Sequence, residues 1–235
     1  MSNSFFRFKQ FIVQQDRCAM KVGTDGVLLG AWTEVKDAKR IVDVGTGTGL
    51  IALMLAQRSQ AAITALEIDE RAASQAAENV ANSPFKTQIQ VIPTSFQDFI
   101  FADTSKYDLI VSNPPFFHNS LKGPAEDRKQ ARHTDSLLPE ELIEGCLRLL
   151  SPNGSFCVIF PPQEAMLFIE KARMRGFFCT RKTQVIPRLG VNTKRLLLQF
   201  ELEEKWCKED FLILETDTRH QYTEAFKQLT ADFYL

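Results

Sequence analysis

From about residue 40 the chain alternates short apolar runs with segments whose apolar positions recur at helical spacing. Arg40–Val44 (RIVDV) reads as a buried strand, and Leu50–Arg58 as a helix entered through a glycine-rich turn. Ala62–Glu67 (AITALE) predicts a second strand and the Ala-rich Glu70–Ala81 a helix, with further short strands at 89–92 and 109–112. Residues 137–150 predict a helix that stops at Pro152-Asn153-Gly154; a strand at 155–160 and a helix at 163–175 follow. Such alternation predicts an α/β architecture with helices on both faces of a parallel sheet. The end differs: residues 177–186 and 194–203 read as two strands joined by a turn at 187–190. A mostly parallel seven-stranded sheet closed by a C-terminal antiparallel hairpin is therefore expected. No repeat or linker divides the chain. Residues 40–235 read as one domain, and residues 1–39 as a leading segment packed over its ligand edge.

The turn Asp43-Val44-Gly45-Thr46-Gly47-Thr48-Gly49 hands the first strand over to a helix. Open parallel sheets bind ligands at the carboxyl ends of their strands, near the point where strand order reverses. Glycine there permits positive φ and close approach of backbone to ligand. A dinucleotide fingerprint does not fit, because Leu50 follows Gly49 and the third glycine falls one residue early. That spacing argues against a nicotinamide-dependent oxidoreductase. The pattern (D/E)-x-G-x-G-x-G instead resembles the S-adenosyl-L-methionine motif of class I methyltransferases. Glu67, closing the second strand, is the expected acceptor for both ribose hydroxyls. Asp69 competes, but reads better as the N-cap of the next helix. The adenine end of such a ligand is expected near residues 93–99. Many relatives carry an Asp there, where this chain has Ser95, and Phe96 is expected to cover the ring.

Ser112-Asn113-Pro114-Pro115-Phe116-Phe117 follows the fourth strand. Two prolines fix φ, remove two N–H donors and push Asn113 out of helical geometry. The Asn113 side-chain carbonyl and the Pro114 main-chain carbonyl are then two neutral acceptors beside an aromatic ring. An exocyclic NH₂ on a base has two hydrogens to give, while its lone pair is delocalised into the ring. Two acceptors localise that lone pair toward a sulfonium methyl, and Phe116 stacks on the base to hold it in line. The motif (N/D)-P-P-(F/Y) is the amino-methyltransferase signature.

Met20-Lys21-Val22-Gly23-Thr24-Asp25-Gly26-Val27-Leu28-Leu29-Gly30-Ala31-Trp32, the glycine turn, SNPPFF and Arg128-Lys129-Gln130-Ala131-Arg132-His133 occur in that order. Together they resemble the bacterial tRNA-valine (adenine-N6)-methyltransferase family across essentially the whole chain, down to Asp232-Phe233-Tyr234-Leu235. The resemblance implies a Rossmann-like class I methyltransferase fold, S-adenosyl-L-methionine as methyl donor, and a tRNA anticodon stem-loop as partner. The target it implies is N6 of the adenine just 3′ of the anticodon. It also implies that Lys21, Thr24 and Asp25 close over the cofactor's methionine portion, although Thr24 or Asp25 capping a helix would serve equally. An anticodon-loop base is already partly unstacked, so presenting it costs little. Phe117, Arg128, Arg132 and His133, with Lys122 and Lys129, are the expected substrate contacts.

Composition adds limits. Hydrophobic residues make up 44% and charged residues 24% of the 235 residues, ordinary values for a globular protein. No apolar run approaches the roughly 20 residues that span a bilayer, and the amino terminus lacks a signal-peptide core. The five cysteines are scattered and odd in number, which suggests neither a disulfide framework nor a zinc site. A cytoplasmic protein without metal or membrane is expected. The net charge is −1, yet eight basic and no acidic residues lie between Lys171 and Arg195, and seven acidic residues lie between Glu201 and Asp217. That sorting is expected to give a local basic face that extends an RNA footprint together with Arg7 and Lys9. Three alternatives stay open: a protein-glutamine N5-methyltransferase, a DNA adenine methyltransferase, and a non-catalytic RNA-binding protein that kept the fold. The first two usually carry a further recognition domain, whereas 39 residues precede the first predicted strand.

Overall fold

The computed structural model describes residues 3–18, 20–115, 137–218 and 221–234. The leading segment forms a small antiparallel ribbon, β1 (Phe5–Arg7) and β2 (Ile12–Gln14), followed by α1 (Thr24–Trp32). The body runs β3 (Arg40–Val44), α2 (Leu50–Arg58), β4 (Ala62–Glu67), α3 (Glu70–Ala81), β5 (Ile89–Pro93), α4 (Phe96–Ala102) and β6 (Tyr107–Ser112). Then come α5 (Pro139–Leu149), β7 (Leu150–Phe160), α6 (Pro162–Met174), β8 (Phe178–Arg188), β9 (Arg195–Glu201), β10 (Lys208–Glu215) and α7 (Glu224–Thr230).

The strand order is β10-β8-β9-β7-β6-β3-β4-β5. Every neighbouring pair is parallel except the two made by β9, which runs against both β7 and β8. β3 is central, and its apolar side chains feed both layers: Ile41 belongs to the core under α1 and α2, Val42 to the core under α4, α5 and α6. The chain first builds β4 and β5 on one side of β3 and then crosses to β6 on the other. The switch point therefore lies between β3 and β6, where a ligand cleft is expected.

The sheet has eight strands, not seven. The additional edge strand, β10, contains Glu209 and Asp210 and leaves Phe211 exposed, so it lacks the continuous apolar run of the inner strands. Two of its carboxylates bond to β8: Glu209 Oε1 meets Lys182 Nζ at 2.9 Å, and Asp210 accepts from the Thr183 hydroxyl. Charges on an edge strand also discourage pairing with other chains. Pro152-Asn153-Gly154 does not separate two elements but lies inside β7. There the register jumps from Tyr107↔Leu150 to Leu109↔Ser155, and the extra residues bulge out of the ladder. The helix α4 was not foreseen, and its start is Ser95, whose Oγ accepts from Asp98 N at 2.9 Å. It packs so closely on α5 that a Cβ at Gly145 would meet Phe96 Cε1 at 2.3 Å.

Two buried amides on α3 fasten the leading segment to the sheet edge. Gln75 Oε1 accepts from Arg17 N at 3.1 Å. Asn79 accepts from Gln14 N at 2.8 Å and donates to Gln14 O and to Thr48 O, each at 2.9 Å. Asn79 thus joins the β1–β2 ribbon, α3 and the glycine turn at one buried point. Asn79→Ala leaves those backbone groups without their partner, and a loss of about 3 kcal/mol in unfolding free energy is expected from urea titration. A change under about 0.5 kcal/mol would mean the contact is incidental.

Candidate active site

The glycine turn follows β3 and needs its glycines for conformation. Gly45, Gly47 and Gly49 have φ of 72°, 57° and 82°, a region that side chains with a Cβ rarely occupy. A Cβ on Gly45 or Gly47 would meet no atom within 4 Å, so both face open space, whereas Gly49 rests on Ala76. Glu67, at the end of β4, supports the turn from the side. Its carboxylate accepts from Gly47 N at 2.8 Å and from Asp69 N at 3.0 Å, and it lines the cavity. Asp69 is the N-cap of α3, accepting from Ala72 N at 2.8 Å.

Asp43, expected as a cofactor contact, does not line the cavity. It is fully buried beneath the turn, where one oxygen accepts from Thr46 Oγ1 at 2.6 Å and from Ala52 N at 3.2 Å. The placement has a simple cause: side chains alternate along a strand, and the Asp43 side chain serves the loop from below. Burial pushes its pKa from 3.8 up to about 7, against the two hydrogen bonds that favour the charged form. Between about pH 4 and 7 the unfolded chain releases this proton while the folded one keeps it, so this group's contribution to stability falls as pH rises and is constant above about 7. The stability difference between the wild type and Asp43→Asn is expected to decline over that window, as denaturation at a series of pH values would read. A pH-independent difference would contradict it.

The Asn-Pro-Pro loop reaches the same place from β6. Val44 and Ser112, the last residues of β3 and β6, are register partners, and Ser112 Oγ donates to Val44 O at 2.9 Å. That buried bond ties the two strand ends together just before both loops diverge. Asn113 and Pro114 then line one cavity of ≈ 870 Å³ with Gly45, Gly47 and Glu67. The volume lies within the range of small-ligand sites. Lys21, Thr24 and Asp25 from the leading segment close another wall. The N-cap of α1 is Gly23 without a side-chain bond, so Thr24 and Asp25 sit within the first turn instead of capping it. Ser95 and Phe96 border the cavity near the end of β5, but the Ser95 hydroxyl is engaged with Asp98 and Phe96 is largely buried in the core.

Sequence reasoning missed part of this cavity. Arg195, at the start of β9, lines it and meets Asp25 through Nε–Oδ2 at 2.7 Å. The sequence placed it in a predicted strand and at the end of a basic stretch, but gave no sign that it lines the cavity. Cys18 also borders the cavity; burial and the nearby Glu67 raise its thiol to about 11, which keeps it protonated and unsuited to nucleophilic work. Among the described residues no group of three or more His, Cys, Asp or Glu side chains gathers as a metal site, and no helix is long and apolar enough to cross a membrane. Phe116, Phe117, Lys122, Arg128, Lys129, Arg132 and His133 lie outside the described residues.

Comparison with known proteins agrees with this geometry. Residues 20–179 match the family model described as methyltransferase small domain. A tRNA1(Val) (adenine(37)-N6)-methyltransferase of Bacteroides fragilis is 50% identical over 100% of this chain and 99% of its own length. One of the same name from Trichodesmium erythraeum is 47% identical, with the same coverage. Among solved structures, a predicted O-methyltransferase from Agrobacterium tumefaciens superposes with a TM-score of 0.70 at 20% identity, covering 89% of this chain and 96% of that one. A glycopeptide N-methyltransferase solved with S-adenosyl-L-methionine superposes at 0.55 and 11% identity, covering 78% and 100%. At those identities the likeness concerns the fold.

Proposed function

This chain belongs to the methyltransferase small-domain family and, within it, to the tRNA1(Val) (adenine(37)-N6)-methyltransferases, and from that premise we propose that it methylates N6 of adenine 37 in tRNA1(Val), using S-adenosyl-L-methionine in the cytoplasm. The observation that supports this most is the sharing of one cavity by the positive-φ glycine turn, Glu67 and the Asn113-Pro114 carbonyl pair.

The residues present suit the cofactor. Gly45 and Gly47 leave open space where a side chain would block a ligand. The Glu67 carboxylate, held by two backbone N–H groups, keeps lone pairs for the ribose hydroxyls. Lys21, Thr24 and Asp25 would hold the amino-acid end, and Ser95 and Phe96 would border the adenine end. When bound, S-adenosyl-L-methionine supplies an electrophilic methyl group on a sulfonium that is itself a good leaving group. The protein's task is then positional. Asn113 Oδ1 and the Pro114 carbonyl accept the two N6 hydrogens, draw the amine toward tetrahedral geometry and aim its lone pair into the cleft. Phe116 stacks on the adenine, and Phe117, Arg128, Arg132 and His133 hold the surrounding RNA. Methylation leaves the nitrogen with one proton too many, which is released to solvent; Asp43 fixes the loop from beneath, outside the cavity, and does not take it.

The test is incubation of the protein with isotope-labelled cofactor and tRNA lacking the modification, followed by nucleoside analysis. Label is expected as N6-methyladenosine at position 37 of one tRNA. Label on a protein glutamine, or cofactor binding without turnover on any RNA, would overturn the reading in favour of its two main rivals.

A further inference from the structure

The fold divides the eight basic residues between Lys171 and Arg195 into two groups. Lys171 pairs with Glu140 at 2.5 Å, Arg175 pairs with Glu144, Arg181 with Glu34 at 3.0 Å and Lys182 with Glu209 at 2.9 Å. Arg181 also lies over the Trp32 ring, 4.2 Å from its centroid. Those four charges are offset by the protein's own carboxylates, Arg188 stands in register with Glu215 across the β8–β10 pair, and Arg173 is exposed in the last turn of α6, outside the cavity lining. Lys194 and Arg195 differ in place, although Arg195 is also paired, with Asp25. They stand where β9 begins, at the carboxyl edge of the parallel strands, and both line the cavity that Asn113 and Pro114 line. Lys194 is exposed and, among the described residues, in no ion pair.

Strand order puts this arm of the cavity on the far side of Asn113 from Glu67: β4 carries Glu67, β6 leads to Asn113, and β9 carries Arg195. Its wall is apolar, built from Val185, Pro187 and Leu214. The Arg195 guanidinium is held at two points, by Asp25 Oδ2 at 2.7 Å and by its own neighbour's carbonyl, Lys194 O, at 2.8 Å. A cation so fixed offers a planar fork of set orientation, the geometry that suits a phosphate. Apolar surface for a ring beside cations for a phosphate is what one unstacked nucleotide requires.

We propose that this arm holds a nucleotide adjoining the reacting adenine, its phosphate on Lys194 and Arg195 and its ring against Pro187 and Leu214. Asp25 is the positioning residue for Arg195, which adds a task directed at RNA to its place beside the cofactor's amino-acid end. The assignment rests on the proposed function and adds a substrate subsite to it.

Steady-state methylation of unmodified tRNA by wild type, Lys194→Ala, Arg195→Ala and Arg195→Lys, with Lys182→Ala as control, separates the possibilities. Each alanine variant in the arm is expected to raise the KM for tRNA about tenfold and to lower the slope of log affinity against log salt by about one. Cofactor Kd is expected to stay within about twofold, and Lys182→Ala to match the wild type. Arg195→Lys keeps the charge and is expected to recover the salt slope but only part of the KM, since the fork is lost. Asp25→Asn is expected to raise the tRNA KM in the wild type but not further in Arg195→Ala. Unchanged tRNA KM and salt slope in both alanine variants would overturn the subsite, as would a rise in cofactor Kd with tRNA KM unaltered. Failure of the wild type to form N6-methyladenosine in tRNA would bring down the proposed function and the subsite together. An active wild type with indifferent variants removes the subsite alone.

Discussion

Asn113→Ala is expected to lower kcat for tRNA methylation by at least about 100-fold while cofactor Kd moves less than about twofold, the pattern of an interaction made only on the way to the transition state. The asymmetry follows from the fold. Asn113 stands past the end of β6, so truncating it would remove one of the two proposed acceptors for the N6 hydrogens. It leaves the glycine turn and Glu67, which hang on β3 and β4, in place. The Ser112–Val44 bond precedes the loop and survives the substitution. Asn113→Asp retains an acceptor of similar shape and adds a charge the reaction does not require, so it is expected to keep more activity than Asn113→Ala. Isothermal titration with cofactor beside single-turnover methylation reads both quantities. Equal loss of binding and turnover in Asn113→Ala would mean that the loop serves the fold.

Glu67→Ala is expected to do the reverse, weakening cofactor binding by about 100-fold, or close to 3 kcal/mol, through loss of the ribose acceptors and of the anchor for the turn. Each carboxylate oxygen already accepts one backbone N–H, from Gly47 and from Asp69, so removal also frees the turn to move. Saturating cofactor is expected to restore much of kcat, because the acceptor pair at residues 113 and 114 is untouched. Binding within about threefold of wild type would assign Glu67 to the loop's support only.

The parts of the fold that could be read directly are those where one residue pattern has one physical outcome. Arg40–Val44, Ala62–Glu67 and Glu70–Ala81 carry short, mostly apolar runs or a strong helical stripe, and they form with the boundaries expected. The misses are positions where a local signal meets a tertiary one. Pro152-Asn153-Gly154 is strong turn chemistry, yet the ladder to β6 absorbs it as a bulge. Ser95 and Asp98 had the spacing of a helix start, but residues 93–99 were read only as the adenine edge of the ligand site. β10 has an edge strand's mixed charges.

At the site, the glycine turn and the Asn-Pro-Pro loop were legible because each is a contiguous segment whose backbone requirement shows in its residue types. The Asp25–Arg195 pair was not, since it joins residues 170 positions apart and no local pattern announces it. Asp43 was legible as part of a motif but not as a buried support, because its direction depends on the pleat of β3.

The most direct measurement is a structure of the protein with S-adenosyl-L-homocysteine and an unmodified tRNA1(Val) anticodon stem-loop. The account predicts the adenine of position 37 turned out of the loop, with N6 within hydrogen-bond distance of both Asn113 Oδ1 and Pro114 O and facing the sulfur. An adenine bound elsewhere, or a residue-113 side chain directed away from the ligand beside the glycine turn, would contradict it.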